Sequence, residues 1–232
     1  MKGEHDFKLT FIYRSPFPLM KGNLIIISSP SGGGKGTLIL ELLSSESITN
    51  IGYCISYTTR EKREGEMHGR DYFFVSRKEF ISSIEKDEFL EYAEVHGNFY
   101  GTPIRFVQDA INRGKDVILE IDVQGAESVR RLMPEAVGIF ILPPSFEILR
   151  NRLKARATEK LKDLDLRLRN SFAEIQRVSE FKYVIVNDDV SEATADLQTI
   201  ILAERLKRIR QTEAIRGILD SFDTSKISSL GD

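Results

Sequence analysis

The stretch Ser29-Pro30-Ser31-Gly32-Gly33-Gly34-Lys35-Gly36, followed at once by Thr37, gathers the residue types that hold phosphate. Consecutive glycines let the backbone curl with its N–H groups pointing inward, and the start of a helix adds positive potential. Lys35 supplies a mobile ammonium for the outer phosphates of a nucleoside triphosphate. This chemistry needs a strand ahead of the loop and a helix behind it. Leu24-Ile25-Ile26-Ile27 reads as a buried parallel strand, and Leu38, Ile39, Leu42 and Leu43 recur at helical spacing. A merely flexible turn would account for the glycines but not for a lysine at a helix start behind an apolar strand. The loop departs from the usual pattern twice. Ser29 stands in place of the first glycine, and Gly36 in place of the hydroxyl residue that ligates Mg²⁺. Thr37 is left as the nearest hydroxyl, and more of the metal's ligands are expected to be water and phosphate oxygens.

Arg60 and Arg63 lie three apart in T-T-R-E-K-R-E-G-E-M-H-G-R-D-Y, a stretch closed by Tyr72. Two guanidiniums and a phenol suit one dianionic phosphate. The interleaved Glu61, Glu64 and Glu66 also fit a solvated charged loop, which composition alone favours. Glu120 and Asp122 emerge at the carboxyl end of an apolar strand, where ligands of open α/β sheets collect, and alternation sets both on one face. Capping of the following helix is the competing use of these two acids. His5, His68 and His96 lack ligand spacing, and the single Cys54 sits in an apparent strand as a packing residue.

Positioning these groups requires a sheet. Val117–Ile121 and Val137–Leu142 are near-continuous apolar runs with crossover-length helical stretches around them, and Tyr183–Val186 reads as a last buried strand. Between the first helix and Val117 the texture changes. A strand is expected over Gly52–Ser56, a polar connection over Thr58–Asp71 and a short strand over Tyr72–Val75. Ser76 and Glu79 form a capping box for a helix bearing Phe80, Ile81 and Ile84. A strand near Phe89–Val95 precedes a turn at Gly97–Gly101. Thr102 is expected to cap a helix with Pro103 in its first turn, and Gly114 to close it. Ser145 caps a helix to about Arg156, and Leu164, Leu168, Phe172 and Ile175 mark another. A final long helix carries Glu204, Arg205 and Lys207 on its outer side. The expected fold is an α/β doubly wound parallel sheet core with inserted segments at about 52–103 and 155–170.

With 33 basic and 35 acidic residues in 232, the net charge of −2 offers no bulk attraction to nucleic acid or anionic membranes. One cysteine and no long apolar run or signal-type segment point to a reducing cytoplasm. Residues 1–21 lack periodicity and read as an N-terminal extension, disordered or artefactual, with Met20 an alternative start. A domain is expected over 22–210 and a helix end and tail over 211–232. Nothing in the pattern distinguishes monomer from homodimer.

Further segments follow the loop in a familiar order: I-S-Y-T-T-R, G-E-x-x-G-x-D-Y-F-F, N-F-Y-G-T, L-E-I-D-V-Q-G-A, I-F-I-L-P-P-S and I-V-N-D-D. From about residue 22 to 207 the chain resembles the guanylate kinases. The resemblance implies Mg²⁺-assisted, ATP-dependent phosphorylation of GMP, with dGMP a second substrate, on a phosphate-loop core with a GMP-binding segment and a small mobile lid. Carried over by position, it implies a GMP site of Ser56, Arg60, Arg63, Tyr72, Glu91, Tyr100, Thr102 and Asp122. The Glu91 carboxylate would accept guanine's adjacent N–H donors. Asp122 would meet the guanine amine or an arginine that it orients. For ATP the resemblance implies Ser29 through Thr37 with Asn187 near adenine, and for catalysis Lys35, Arg60, Arg152, Arg156 and Arg167. Thr37 and Glu120 are the expected metal residues, in part through water. The lid pattern R-G-T-E reads here as Arg156-Ala157-Thr158-Glu159, with alanine stiffening a position where glycine flexes. A non-catalytic phosphopeptide-binding relative of these kinases and another small phosphate-loop kinase are the alternatives. The intact Gly34, Lys35 and Thr37 argue against the first, and Glu91 with the Ser56–Tyr72 stretch against the second.

Overall fold

The computed structural model describes residues 21–45, 48–95, 97–156 and 161–222, with the side chains of 95, 156 and 161–163 outside that set. In chain order the elements are β1 (Leu24–Ser28), α1 (Lys35–Ser44), β2 (Ile51–Tyr53), β3 (Tyr57–Thr58), β4 (Phe73–Phe74), α2 (Arg77–Glu85), β5 (Phe89–Val95) and β6 (Asn98–Pro103). They continue with α3 (Ile104–Asn112), β7 (Asp116–Glu120), α4 (Val123–Leu132), β8 (Val137–Leu142), α5 (Phe146–Arg156), α6 (Leu161–Ile175), β9 (Tyr183–Val186), α7 (Val190–Arg205) and α8 (Thr212–Ser221).

β1 is buried along its whole length because it lies in the middle of a parallel sheet with strand order β2-β7-β1-β8-β9. Its alternate residues feed two separate cores, as the two-residue period of a strand requires. Leu24 and Ile26 pack with Val117, Leu119, Phe140 and residues of α3 and α4 on one face. Ile25 and Ile27 pack with Ile118, Ile139, Ile141 and residues of α1 and α7 on the other. Each such fully buried branched side chain contributes about 1.5–3 kcal/mol. β1 connects through α1 to β2 on one side, and β7 crosses through α4 to β8 on the other, so the crevice at the carboxyl end of β1 is the switch point where ligands of such sheets bind. The phosphate loop sits there. A smaller cluster of Leu149, Leu153 and Leu164 joins α5 to α6.

A second sheet, β4-β3-β6-β5, lies within residues 57–103. The single strand expected over Gly52–Ser56 is divided here: β2 belongs to the large sheet and β3 to the second. The Gly97–Gly101 stretch is strand rather than turn from Asn98 onward, pairing Phe99 with Glu94 and Tyr100 with Ala93. Thr102 therefore lies in β6 opposite Glu91, and Pro103 takes the N-cap position of α3. The Ser76/Glu79 capping box is formed, Ser145 Oγ accepts from the Ile148 N–H, and Gly114 (φ 76°) follows α3.

The last strand is an edge rather than a buried strand. Among the described residues β9 pairs with β8 alone; its Val184 and Val186 face is exposed while Ile185 is buried. The expected final long helix ends at Arg205, followed by a short 3₁₀ turn and α8. Glu204 and Arg205 do not face outward as expected. Glu204 is buried and accepts from Lys182 Nζ (2.8 Å) and Tyr183 Oη (2.6 Å), with Lys207 Nζ 2.7 Å away. Arg205 Nε donates to the buried Asp116 (2.6 Å), which also accepts from the Asn23 N–H. Both helix residues tie α7 to the sheet. Residues 1–20, 157–160 and 223–232, which include most of the expected N-terminal extension and the lid residues Ala157, Thr158 and Glu159, lie outside the described set.

Candidate active site

The loop between β1 and α1 lines a cleft of about 1020 Å³ with Ser29, Pro30, Ser31, Gly32, Gly33, Gly34, Lys35 and Gly36. Its curl depends on glycine at two points. Gly32 (φ 84°) and Gly34 (φ 91°) are left-handed, and a Cβ on Gly34 would lie 2.1 Å from Asn187 Nδ2. Ser29 Oγ donates to the Pro30 carbonyl (3.0 Å), as does the Gly33 N–H (2.9 Å), closing the turn. Lys35 opens α1 and approaches Glu120 at 3.8 Å. Glu120 also accepts from Tyr53 Oη at 3.2 Å. Burial together with that carboxylate pushes the Tyr53 phenol well above the usual range, which keeps it a donor. Arg63, Asp122, Arg167, Glu174 and Arg177 complete much of the cleft wall.

Beside the cleft stands a cluster on the second sheet. Glu91, 8 % exposed, accepts from Thr102 Oγ1 at 2.6 Å. Burial pushes its carboxyl up to about 7; the Thr102 hydrogen bond opposes the rise and nearby Asp122 adds to it. A Cβ on Gly125 of α4 would lie 3.0 Å from Glu91 Oε2, so glycine there gives the carboxylate its room. The Tyr72 and Tyr100 rings meet at 5.9 Å, and the Arg60 guanidinium lies 5.5 Å from the Tyr72 ring centre. Ser56 accepts through its carbonyl from the Phe73 N–H, at the edge of the same sheet.

A cavity of about 320 Å³ opens on the far side of the loop, lined by Gly32, Gly34, Thr37, Arg152, Ala155, Asn187 and Val190. Asn187, 2 % exposed, donates from Nδ2 to the Gly33 carbonyl (2.9 Å) and accepts through its carbonyl from Arg152 (3.0 Å). Among the described residues Asn187 Oδ1 and Arg152 Nη1 are buried without partners, so polar valence is left beside the loop.

Residues 21–204 match the sequence profile of the guanylate kinase family. The chain belongs to this family. It is 50 % identical to the guanylate kinase of Dechloromonas aromatica over 187 residues, spanning 81 % of this chain and 92 % of that protein. It is 49 % identical to that of Neisseria gonorrhoeae over 201 residues, spanning 87 % and 97 %. The crystal structure of guanylate kinase from Anaplasma phagocytophilum superposes with a TM-score of 0.73 at 36 % identity, covering 90 % of this chain and 98 % of that one.

Within this guanylate kinase fold the residues named from the sequence fall into three groups. The loop residues, Arg63, Glu120, Asp122 and Arg167 meet at the large cleft. Ser56, Arg60, Tyr72, Glu91, Tyr100 and Thr102 share the second sheet and its connecting loop. Thr37, Arg152 and Asn187 line the smaller cavity, whereas Glu120 lines the large cleft. The loop position that faces Glu120 is Gly36, whose added Cβ would lie 3.6 Å from Oε1. Arg156 ends α5, and its side chain is outside the described set. Asp122 caps α4, accepting from the Gly125 N–H at 2.7 Å, so the competing structural use of this acid is real for one of its oxygens.

Several residues of the site were not singled out from the sequence. Glu66, placed there among solvated charges, accepts from Arg60 at 2.7 Å and from the Arg63 N–H at 2.8 Å. The bond from Arg60 holds the Glu66 carboxyl below its ordinary range. Glu66 thus ties the Arg60 guanidinium to the Arg63 backbone. Tyr53, Ser171 and Glu174 had no signal beyond membership of a strand or an amphipathic helix. Among the described residues no group of three or more His, Cys, Asp or Glu side chains is arranged to hold a metal ion. The donors at the cleft, the carboxylates of Glu120 and Asp122, fit Mg²⁺. That ion keeps several waters and uses one or two carboxylates plus substrate phosphates.

Proposed function

We infer that this protein transfers the γ-phosphoryl group of ATP to GMP, forming GDP, and accepts dGMP as a second substrate in purine nucleotide metabolism. The observation that carries this reading is a buried, threonine-bonded carboxylate, Glu91, beside a glycine-lined phosphate loop in a member of the guanylate kinase family. Guanine presents N1–H and an amine as adjacent donors, which one carboxylate can accept together. Adenine places a lone pair there and leaves the acid unpaired, a penalty on the order of 10⁴-fold in selectivity.

A phosphate oxygen of GMP attacks the γ-phosphorus while the bond to the β,γ-bridging oxygen breaks, leaving ADP. Alignment and charge compensation dominate such a transfer. The inward N–H groups of Ser29 to Thr37 and the Lys35 ammonium hold the triphosphate. Arg60, Arg63, Tyr72 and Tyr100 hold the GMP phosphate, with Glu66 releasing Arg60 as the dianion arrives. Glu91, Thr102, Ser56 and Asp122 orient the base. Arg167 meets the transferring group from α6, Arg156 is carried to the same role by family resemblance alone, and Arg152 with Asn187 borders the adenosine end. Glu120, beside Asp122 in the cleft, would hold Mg²⁺ through water, and the ion would supply charge neutralisation to the transferring phosphates; Thr37 stands on the smaller-cavity side of the loop. A reducing cytoplasm suits the single buried Cys54, whose thiol burial pushes up to about 12. No helix among the described residues is long and apolar enough to cross a membrane.

The test is an assay of ATP against each nucleoside monophosphate, with Lys35→Met as control. GMP and dGMP should be turned over and AMP poorly. Lys35→Met should lower kcat on the order of 10²–10³-fold, the scale of losing one group that stabilises the transferring charge. Equal turnover of GMP and AMP would overturn the guanine assignment.

A further inference from the structure

One residue of the phosphate loop, Ser31, is gripped through both of its backbone polar groups by α6. The Ser31 N–H donates to Glu174 Oε2 at 3.0 Å, and the Ser31 carbonyl accepts from Ser171 Oγ at 3.3 Å. Ser171 and Glu174 are three residues apart on one helix and so face the same way. Ser171 is fully buried, although Ser31 is exposed. Two residues further on, the loop is held from the opposite side, where Asn187 donates to the Gly33 carbonyl. Gly32, between these two attachments, is backed by α5: an added Cβ would lie 3.1 Å from Leu149 and Leu153 side-chain carbons. The segment Ser31–Gly33 is thus fixed to the end of β9 through Asn187 and to α6 through Ser171 and Glu174.

The same face of α6 carries Arg167, one helical turn before Ser171, and Arg167 lines the phosphate cleft with Glu174. A helix that slid by one residue along its axis would move Arg167 by about 1.5 Å, a displacement large enough to misalign a phosphoryl transfer. We propose that Ser171 and Glu174 form a clasp on the Ser31 backbone that sets the register of α6 on the phosphate loop. Glu174 is then a positioning residue for ATP and for Arg167. The clasp explains why an acidic side chain is kept in a cleft built for phosphates. Burial pushes the Glu174 carboxyl above its ordinary range, and the Ser31 N–H and the Lys35 ammonium oppose that rise. The kinetic part of this inference rests on the function proposed above; the clasp itself does not.

The experiment compares the full-length protein with Glu174→Ala, Glu174→Gln and Ser171→Ala, reading hydrogen exchange over residues 29–34 without nucleotide and steady-state kinetics with it. Glu174→Ala should speed exchange at the Ser31 amide about tenfold and lower kcat/KM for ATP by a similar factor, the scale of one charge-assisted hydrogen bond. The Kd for GMP alone should stay as in the wild type. Glu174→Gln keeps an oxygen that can accept from Ser31 and should restore most of the protection. Ser171→Ala should act in the same direction as Glu174→Ala but more weakly. Unchanged exchange in Glu174→Ala would overturn the proposal, as would a Gln variant as fast as Ala or a loss confined to GMP binding. A wild type that protects the Ser31 amide but does not phosphorylate GMP would refute the assigned reaction and leave the clasp standing.

Discussion

Glu91 must be ionised to accept two N–H donors from guanine, yet burial places its carboxyl at about 7 in the free protein. At pH 8 about nine tenths of the molecules carry the carboxylate, and at pH 6 about one tenth. Because only that fraction is competent, the apparent Kd for GMP should rise about tenfold from pH 8 to pH 6. The GMP phosphate has its own second ionisation near about 6, so the measurement is made by calorimetry on the wild type and on Glu91→Gln. The variant should bind GMP weakly at every pH and retain only the phosphate's part of the slope. The same shift has a consequence for stability. The carboxyl is raised above its ordinary 4.5, so the protonated form favours the fold: that contribution is complete below 4.5 and is lost as pH rises through about 7. Relative to Glu91→Gln, the nucleotide-free wild type should lose about 3 kcal/mol over that range, and saturating GMP should return part of it by supplying donors. A wild-type Kd whose pH dependence matches that of Glu91→Gln would refute the argument.

Gly36→Ser should be accommodated, since an added Cβ would lie at ordinary contact distances of 3.6 and 3.9 Å from the Glu120 oxygens. With a hydroxyl facing that acid, the KM for Mg²⁺-ATP should fall, and replacing a helical glycine should add about 0.5 kcal/mol to stability; a higher KM would mean that bound phosphate already fills the space. Glu204→Ala leaves Lys182, Lys207 and Tyr183 around a buried site without their acceptor. It should cost about 3 kcal/mol in urea unfolding, whereas a loss below about 0.5 kcal/mol would mark Glu204 as an ordinary surface charge.

The parts of the fold that could be read in advance are those where one physical demand dominates. Leu24–Ile27 and Val137–Leu142 are apolar on both faces, and only a central parallel strand buries both. Ser76 with Glu79 is a self-contained cap, satisfied within one turn. Prediction failed where a partner far along the chain decides. Thr102 has the composition of a cap, but its hydroxyl is claimed by Glu91 across β5 and β6. Glu204 and Arg205 fit the polar side of a helix until Lys182, Tyr183 and Asp116 are brought against them. Val184 and Val186 read as core, yet they share the face of the edge strand β9 that the described residues leave uncovered.

For the site, the order of residues along the chain was enough to establish a phosphate loop, because strand, glycines, lysine and helix are contiguous and their chemistry is local. Which acid faces which loop residue was beyond it. Thr37 and Gly36 are neighbours in sequence, but the turn of α1 directs the first to the smaller cavity and the second to Glu120. Glu66 and Glu174 are ordinary charges until folding sets one against Arg60 and the other against the Ser31 N–H. Local backbone chemistry is written in short runs of residues. Pairing between side chains dozens of positions apart depends on helix phase and strand register, and those are settled when the two sheets and the helices packed against them bury their apolar faces together.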